Sequence, residues 1–171
     1  MDALKAKIRH VPDFPKPGIL FYDVTTLLRD PEGFRHAIDA MAHPYQNAGI
    51  DLVVGIESRG FILGAAVADR LRCGFVPVRK VGKLPSASIR ATYDLEYGTD
   101  SLEMHADAID AGQKVLIVDD LLATGGTARA TTDLVKQVGG GVAGIAFLIE
   151  LVALNGRARL HGEKIMAVLQ Y

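Results

Sequence analysis

The densest chemistry in the chain lies in one segment, Val118-Asp119-Asp120-Leu121-Leu122-Ala123-Thr124-Gly125-Gly126-Thr127. Two adjacent carboxylates precede a Thr-Gly-Gly-Thr turn. Glycines let backbone N–H groups converge on an anion, and the N-terminus of a following helix adds a favourable dipole. Thr124 and Thr127 can donate hydroxyls to phosphate oxygens. The acids would repel a phosphate beside them unless donors or a cation intervene. A ribose phosphate answers both demands. Its hydroxyls suit Asp119 and Asp120, its 5′-phosphate suits the turn, and Mg2+ could bridge the remaining charge through water. No lysine follows the glycines, so this is no Walker A loop, and the GxGxxG spacing of dinucleotide sites is missing. The alternative is a plain strand-to-helix junction with both acids acting as caps.

Three other groups could do chemistry. Glu57-Ser58-Arg59-Gly60 lies where an apolar strand gives way to a helix. Arg59 there could fork onto a phosphate, with turn N–H groups and Ser58 beside it, or could be a surface arginine capped by Glu57. Arg79, Lys80 and Lys83 form a basic cluster, whose ordinary explanation is a solvated charge run. Cys73 is the sole cysteine, which rules out an intrachain disulfide. It reads as a small buried hydrophobe in a reducing compartment.

Composition narrows the setting. The 171 residues suit one domain, and 49% apolar content is enough for a core. A formal net charge of -1 offers no global attraction to nucleic acid or to an anionic membrane, so any anion site must be local. Residues 1–9 are charged and amphipathic, unlike a secretory signal. No apolar run approaches the roughly 20 residues of a membrane span. The expectation is a cytoplasmic protein without nucleic-acid or membrane partners.

These groups must be held by a scaffold. The spacing predicts a short helix over 3–11, an extended proline-rich loop over 12–18, and a helix starting at Asp30-Pro31-Glu32 with the aspartate as N-cap. Strands are predicted at 51–56, 74–79, 114–118, 142–151 and 164–171, and helices at 60–71 and 127–138. Asp119 and Asp120 then fall just beyond a strand end, where ligands bind in open α/β sheets. The alternation predicts an α/β fold with a mostly parallel central sheet flanked by helices. Residues 88–97 and 101–105 alternate like two antiparallel strands meeting near Gly98. That pattern fits a moving flap and a static excursion equally.

The aspartate-aspartate and Thr-Gly-Gly-Thr signature resembles the phosphoribosyl diphosphate motif of the type I phosphoribosyltransferases. In its full form it is most similar to the adenine-using members. The likeness runs through Pro12-Asp13-Phe14-Pro15-Lys16-Pro17-Gly18-Ile19 and Phe21-Tyr22-Asp23, through Gly55-Ile56-Glu57-Ser58-Arg59-Gly60-Phe61, through Arg79-Lys80 with Gly82-Lys83-Leu84-Pro85, and through Tyr93-Asp94-Leu95-Glu96-Tyr97-Gly98 to the closing Leu169-Gln170-Tyr171.

The resemblance implies a single domain over 1–171, with a small base-binding hood from residues 1–28 and the C-terminal segment, and a flexible β-hairpin flap over 81–106. It implies purine salvage: adenine and phosphoribosyl diphosphate give AMP and diphosphate. Asp119, Asp120, Ala123, Thr124, Gly125, Gly126 and Thr127 would hold ribose 5-phosphate. Ser58, Arg59, Arg79 and Lys83 would hold diphosphate, in part across a homodimer. Leu20, Phe21, Tyr22 and Leu151 would bind adenine, with Phe21 and Leu151 on its two faces and backbone groups near Leu20 and Tyr22 at its amino edge. Tyr22 stands where some relatives carry arginine. Glu96 would close over the reacting centre as the catalytic residue. Mg2+ would arrive on the diphosphate rather than in a dedicated cage. The alternatives are a phosphoribosyltransferase for xanthine or hypoxanthine, and a ligand-sensing regulator on the same fold.

Overall fold

A computed structural model describes residues 2–94 and 98–171. A short helix, α1 (Asp2–Lys5), leads into an antiparallel hairpin of β1 (Arg9–Pro12) and β2 (Leu20–Asp23), and α2 (Thr25–Leu28) and α3 (Pro31–Ala42) follow. Then come β3 (Leu52–Ile56), α4 (Arg59–Leu71), β4 (Gly74–Lys80), β5 (Ser88–Asp94), β6 (Thr99–His105), β7 (Lys114–Leu122), α5 (Gly126–Gln137), β8 (Gly141–Glu150) and β9 (Ile165–Gln170). The main sheet has the order β5-β6-β4-β3-β7-β8-β9. The strands from β4 to β9 in that order pair in parallel, while β5 and β6 add an antiparallel hairpin at one edge. The expected α/β architecture is therefore present.

The strands alternate between two cores. Val53, Leu116, Val118, Ala146 and Leu148 face one cluster with residues of α3 and α4. Val54, Val115, Ile117, Ile145 and Phe147 face another that includes Ala128, Leu134 and Val135 of α5. Side chains alternate across a strand, so a sheet covered on both faces needs apolar residues at successive positions. The N-terminus of α3 forms as its sequence requires: Asp30 accepts from the Gly33 N–H at 2.7 Å, and Pro31 occupies the first turn.

Three expectations need correction. The N-terminal helix stops at Lys5, and residues 9–12 pair with β2 instead. Leu4 and Ile8 are buried as a helical reading requires, but Val11 is not, and pairing with residues 20–23 overrides the local spacing. The loop expected over 12–18 is present from residue 13 onward and closes this hairpin, Pro12 being the last residue of β1. Strand β7 continues to Leu122, still pairing with β8 at Leu122↔Glu150, so the two acids lie within the strand rather than beyond it. Cys73 is only half-buried, though burial, chiefly, pushes its thiol up and away from reactivity.

The hairpin is tied to the chain that follows it. Asp23 accepts from the Thr25 N–H at 2.9 Å and from Arg9 Nε at 2.9 Å. The Thr25 amide first, and the Arg9 guanidinium second, hold its carboxyl down to about 2. A depressed carboxylate stabilises the fold above its unfolded pKa and loses that contribution as pH falls through the folded value. The stabilisation from Asp23 is thus expected to be full above about pH 4 and to vanish toward about pH 2. Thermal denaturation should show Asp23→Asn less stable than wild type at pH 7, with the gap closing in acid. A gap independent of pH would refute the assignment.

Candidate functional site

Asp119 and Asp120 are 8% and 7% exposed near the end of central strand β7. Asp119 Oδ1 accepts from the Asp120 N–H at 2.9 Å. Burial, reinforced by the neighbouring charge of Asp120, pushes the Asp119 carboxyl well above the usual carboxylate range. Asp120 is paired with Arg59, whose Nε donates to Oδ2. This contact joins positions 61 residues apart in sequence, bringing the start of α4 onto β7. Gly60 makes that approach possible, because a Cβ there would lie 2.8 Å from Asp119 Oδ1 and 3.1 Å from the Val118 carbonyl. Arg59 is therefore not capped by Glu57. Glu57 is held by the Lys80 N–H at 3.0 Å and by Arg79 at 3.2 Å. Burial raises its carboxyl, but these two partners outweigh burial and hold it below its ordinary value.

The glycine turn follows directly. Gly125 is the N-cap of α5 with φ +83°, a left-handed conformation in which a side chain is strained. Residues 123–128 line a cavity of ≈ 160 Å³, closed on other sides by Phe147 and by Tyr93 and Asp94 of the edge hairpin. No side chain caps the N-terminus of α5, so its first N–H groups face this cavity without an internal competitor. The start of α4 is similar: Ser58 is its exposed N-cap residue and makes no capping hydrogen bond.

The basic cluster divides. Arg79 lies on β4 facing Glu57 and also donates to the Lys83 carbonyl at 3.3 Å, with its guanidinium over the Phe61 ring. Lys80 is paired with Asp100 and donates to the Tyr93 hydroxyl at 3.3 Å, so it braces the hairpin. Lys83 is exposed on the turn that follows.

The N-terminal hairpin brings its aromatic residues to the same region. The Arg59 guanidinium sits 5.6 Å from the centroid of Phe21, linking the segment around residue 21 to the acids through one side chain. Phe14 packs edge-on against Phe21 at 5.1 Å, and Leu20 is 43% exposed. The Tyr22 ring packs against His10 and Tyr171. Leu151 follows β8 and donates its N–H to the Leu122 carbonyl at 2.9 Å. Glu96 lies outside the described residues.

Sequence reading missed three neighbours: Phe14 against Phe21, the Arg59–Asp120 pair, and Arg159, whose Nη1 would lie 3.6 Å from a Cβ on Gly126. All depend on contacts between distant segments, for which periodicity and spacing carry no signal. Among the described residues no group of three or more His, Cys, Asp or Glu side chains could cage a metal ion, and no helix is long and apolar enough to cross a membrane.

Comparison with known proteins places this geometry in context. Residues 23–165 match the model of the phosphoribosyl transferase domain. The chain is 60% identical over 171 residues to an adenine phosphoribosyltransferase of Solibacter usitatus, covering 100% of this chain and 99% of the relative. It is 59% identical to the enzyme of that name from Acidobacterium capsulatum, covering 99% and 94%. Its fold superposes on the crystal structure of adenine phosphoribosyltransferase from Thermoanaerobacter pseudethanolicus with a TM-score of 0.97 at 49% identity, covering 99% of each chain. It superposes on that from Saccharomyces cerevisiae, complexed with an imino-altritol bisphosphate and adenine, with a TM-score of 0.93 at 42% identity, covering 98% and 97%. The chain thus belongs to the phosphoribosyltransferase family, in its adenine phosphoribosyltransferase branch.

Proposed function

We propose that this protein makes AMP and diphosphate from adenine and 5-phosphoribosyl 1-diphosphate, as a purine-salvage enzyme. The observation that carries the reading is a single convergence: a buried acid pair, an uncapped glycine-opened helix start, an arginine on the acids and an aromatic ring on that arginine.

The donor lies with its 5′-phosphate in the turn made by Ala123, Thr124, Gly125, Gly126 and Thr127 and its ribose diol over Asp119 and Asp120. Ser58, Arg59, Arg79 and Lys83 receive the diphosphate, Arg59 exchanging Asp120 for it. Two adjacent carboxylates near the end of β7, of which Asp120 alone is paired with an arginine, suit a divalent cation arriving on its ligand. Mg2+ bound to the diphosphate would supply neutralisation of the leaving group.

Adenine sits between Phe21 and Leu151, its amino edge read by backbone groups near Leu20 and Tyr22. The N9 lone pair forms the bond to ribose C1 as the C1–O bond breaks, and that bond's electrons leave with diphosphate, inverting C1. Positive charge builds on the ring oxygen, as in glycoside transfer. Glu96 closes over the base and accepts the N7 proton that the adenine ring loses as N9 bonds to C1, so that AMP leaves with a neutral base. The hairpin over 81–106 acts as the flap that excludes water, the competing nucleophile. The chain is one domain over 1–171, with a hood from residues 1–28 and the C-terminal segment, and it works in the cytoplasm as a homodimer. Exposed Ile62 and Val81, beside the diphosphate-binding segments, suit a subunit contact.

A spectrophotometric assay with adenine, hypoxanthine, xanthine and guanine tests the acceptor. Turnover is expected with adenine; turnover confined to an oxopurine would assign the enzyme to another base, and none with any would favour a ligand sensor. Glu96→Ala is expected to lower kcat by about 10²-fold or more while KM for adenine changes little, since the contact strengthens in the transition state. Wild-type turnover would remove Glu96 from the chemistry.

A further inference from the structure

One ionic cluster, built on a buried carboxylate, has no part in the reaction as described. Glu150, the last residue of β8, is 4% exposed. Its carboxylate accepts from Arg157 Nε at 2.7 Å and Nη2 at 2.8 Å, a two-pronged fork, and from Gln170 Nε2 at 3.0 Å. Arg157 Nη1 donates to the Ile165 carbonyl at 3.2 Å. The fork closes the turn over 151–156 and ties it to β9.

That turn touches both halves of the site. At its start, Leu151 hangs from the Leu122 carbonyl, on the strand that carries the acids. At its end, Gly156 lies backbone-to-backbone behind the glycine turn. A Cβ on Gly125 would come 2.5 Å from the Gly156 carbonyl, and one on Gly156 would collide with the Ala123 carbonyl. Moving the turn therefore moves the wall beside the base and the support behind the phosphate loop together. Stability alone explains the cluster poorly: the Arg157 side chain is 43% exposed, ion pairs that reach solvent contribute little, and burying the Glu150 carboxylate costs desolvation. A forked arginine instead fixes distance and angle at once.

We infer that Arg157 is a positioning residue: by clamping Glu150 across the 151–156 turn, it sets the base wall at Leu151 and the phosphate loop at Gly125 in one mutual geometry. The inference rests on the reading of those two segments under Proposed function. It makes a distinctive demand, namely that loosening the clamp weakens use of both substrates together although Arg157 is placed against neither.

Initial rates with each substrate varied at a saturating level of the other provide the test, beside thermal denaturation. Arg157→Gln is expected to raise KM for adenine and for phosphoribosyl diphosphate together, each about tenfold, with kcat within about threefold of wild type. Arg157→Lys, which keeps the charge but not the fork, should resemble Arg157→Gln more than wild type. Arg70→Ala, which breaks the Arg70–Asp39 pair on the far ends of α3 and α4, is the control and should move neither KM. A lower melting temperature with both KM values unchanged would overturn the inference, as would a rise confined to one substrate. If Arg157→Gln does not fold, Gln170→Ala decides, since it removes one hydrogen bond from Glu150 at an exposed position. A joint rise of about two- to threefold supports the clamp, and no rise refutes it. A wild-type enzyme idle with adenine would instead overturn the reading of the site itself; an active wild type with unmoved variants overturns the clamp alone.

Discussion

Replacing both acids, Asp119→Ala with Asp120→Ala, is expected to abolish saturable binding of phosphoribosyl diphosphate. Two effects oppose one another. The double variant removes buried negative charge near an anionic ligand and frees Arg59 from Asp120, both of which favour the donor. It also leaves the ribose diol without charged acceptors. Hydrogen bonds to charged groups contribute about 1.5–3 kcal/mol each. Two of them correspond to roughly 10²–10⁴-fold in affinity. The favourable charge effect is smaller, because Arg59 already offsets the charge of Asp120 and can leave it for the diphosphate in the wild type. Isothermal titration with the magnesium complex of the donor should therefore find no measurable binding at concentrations that saturate the wild type. Unchanged affinity would mean that the ribose does not lie over these acids.

The second large effect is expected at Gly125. With φ +83°, any side chain there meets left-handed strain of about 1–2 kcal/mol. The added Cβ would also lie 2.5 Å from the Gly156 carbonyl, a backbone atom that cannot swing aside as a side-chain tip can. The turn must shift. A displacement of the order of 1 Å in a positioning element costs about 10²-fold in rate. Gly125→Ala should thus reduce kcat/KM for phosphoribosyl diphosphate by about that factor, while the melting temperature falls only modestly because the cores on either side of the sheet are untouched. Kinetics within threefold of wild type would show that the turn does not grip the phosphate.

How far the sequence reveals all this depends on the range of the interaction. The loop at 119–127 is legible because its acids, threonines and glycines are neighbours in the chain, and the order of their chemistry is written locally. The central strands are legible because apolar runs such as Val115 to Val118 have no other economical use than burial on both faces. The β1–β2 hairpin is not legible. Each strand is only four residues long, too short to impose a period, and Pro12 and Pro15 argue locally for a loop. The extension of β7 through the acids is likewise hidden, because carboxylates are poor strand formers and only the pairing with β8 retains them. Arg59 was visible as a cation at a helix start; that its partner would be Asp120 rather than Glu57 follows only from the close approach that Gly60 permits. The Glu150–Arg157–Gln170 cluster left no mark in spacing at all.

Strand β7 occupies an interior place in the sheet, with β3 on one side, β8 on the other and a packed core on each face. Such a strand belongs to the part of a protein that opens last and least. Asp119 and Asp120 continue it directly, so their backbone freedom is surrendered when the chain folds and not when a ligand arrives. A loop of the same composition beyond the sheet would have to be ordered at each encounter, and that entropy would be subtracted from affinity every time. On the proposed placement, the ribose would meet acceptors already immobilised by the core, and the ordering done once in folding would lower the cost of every subsequent binding event.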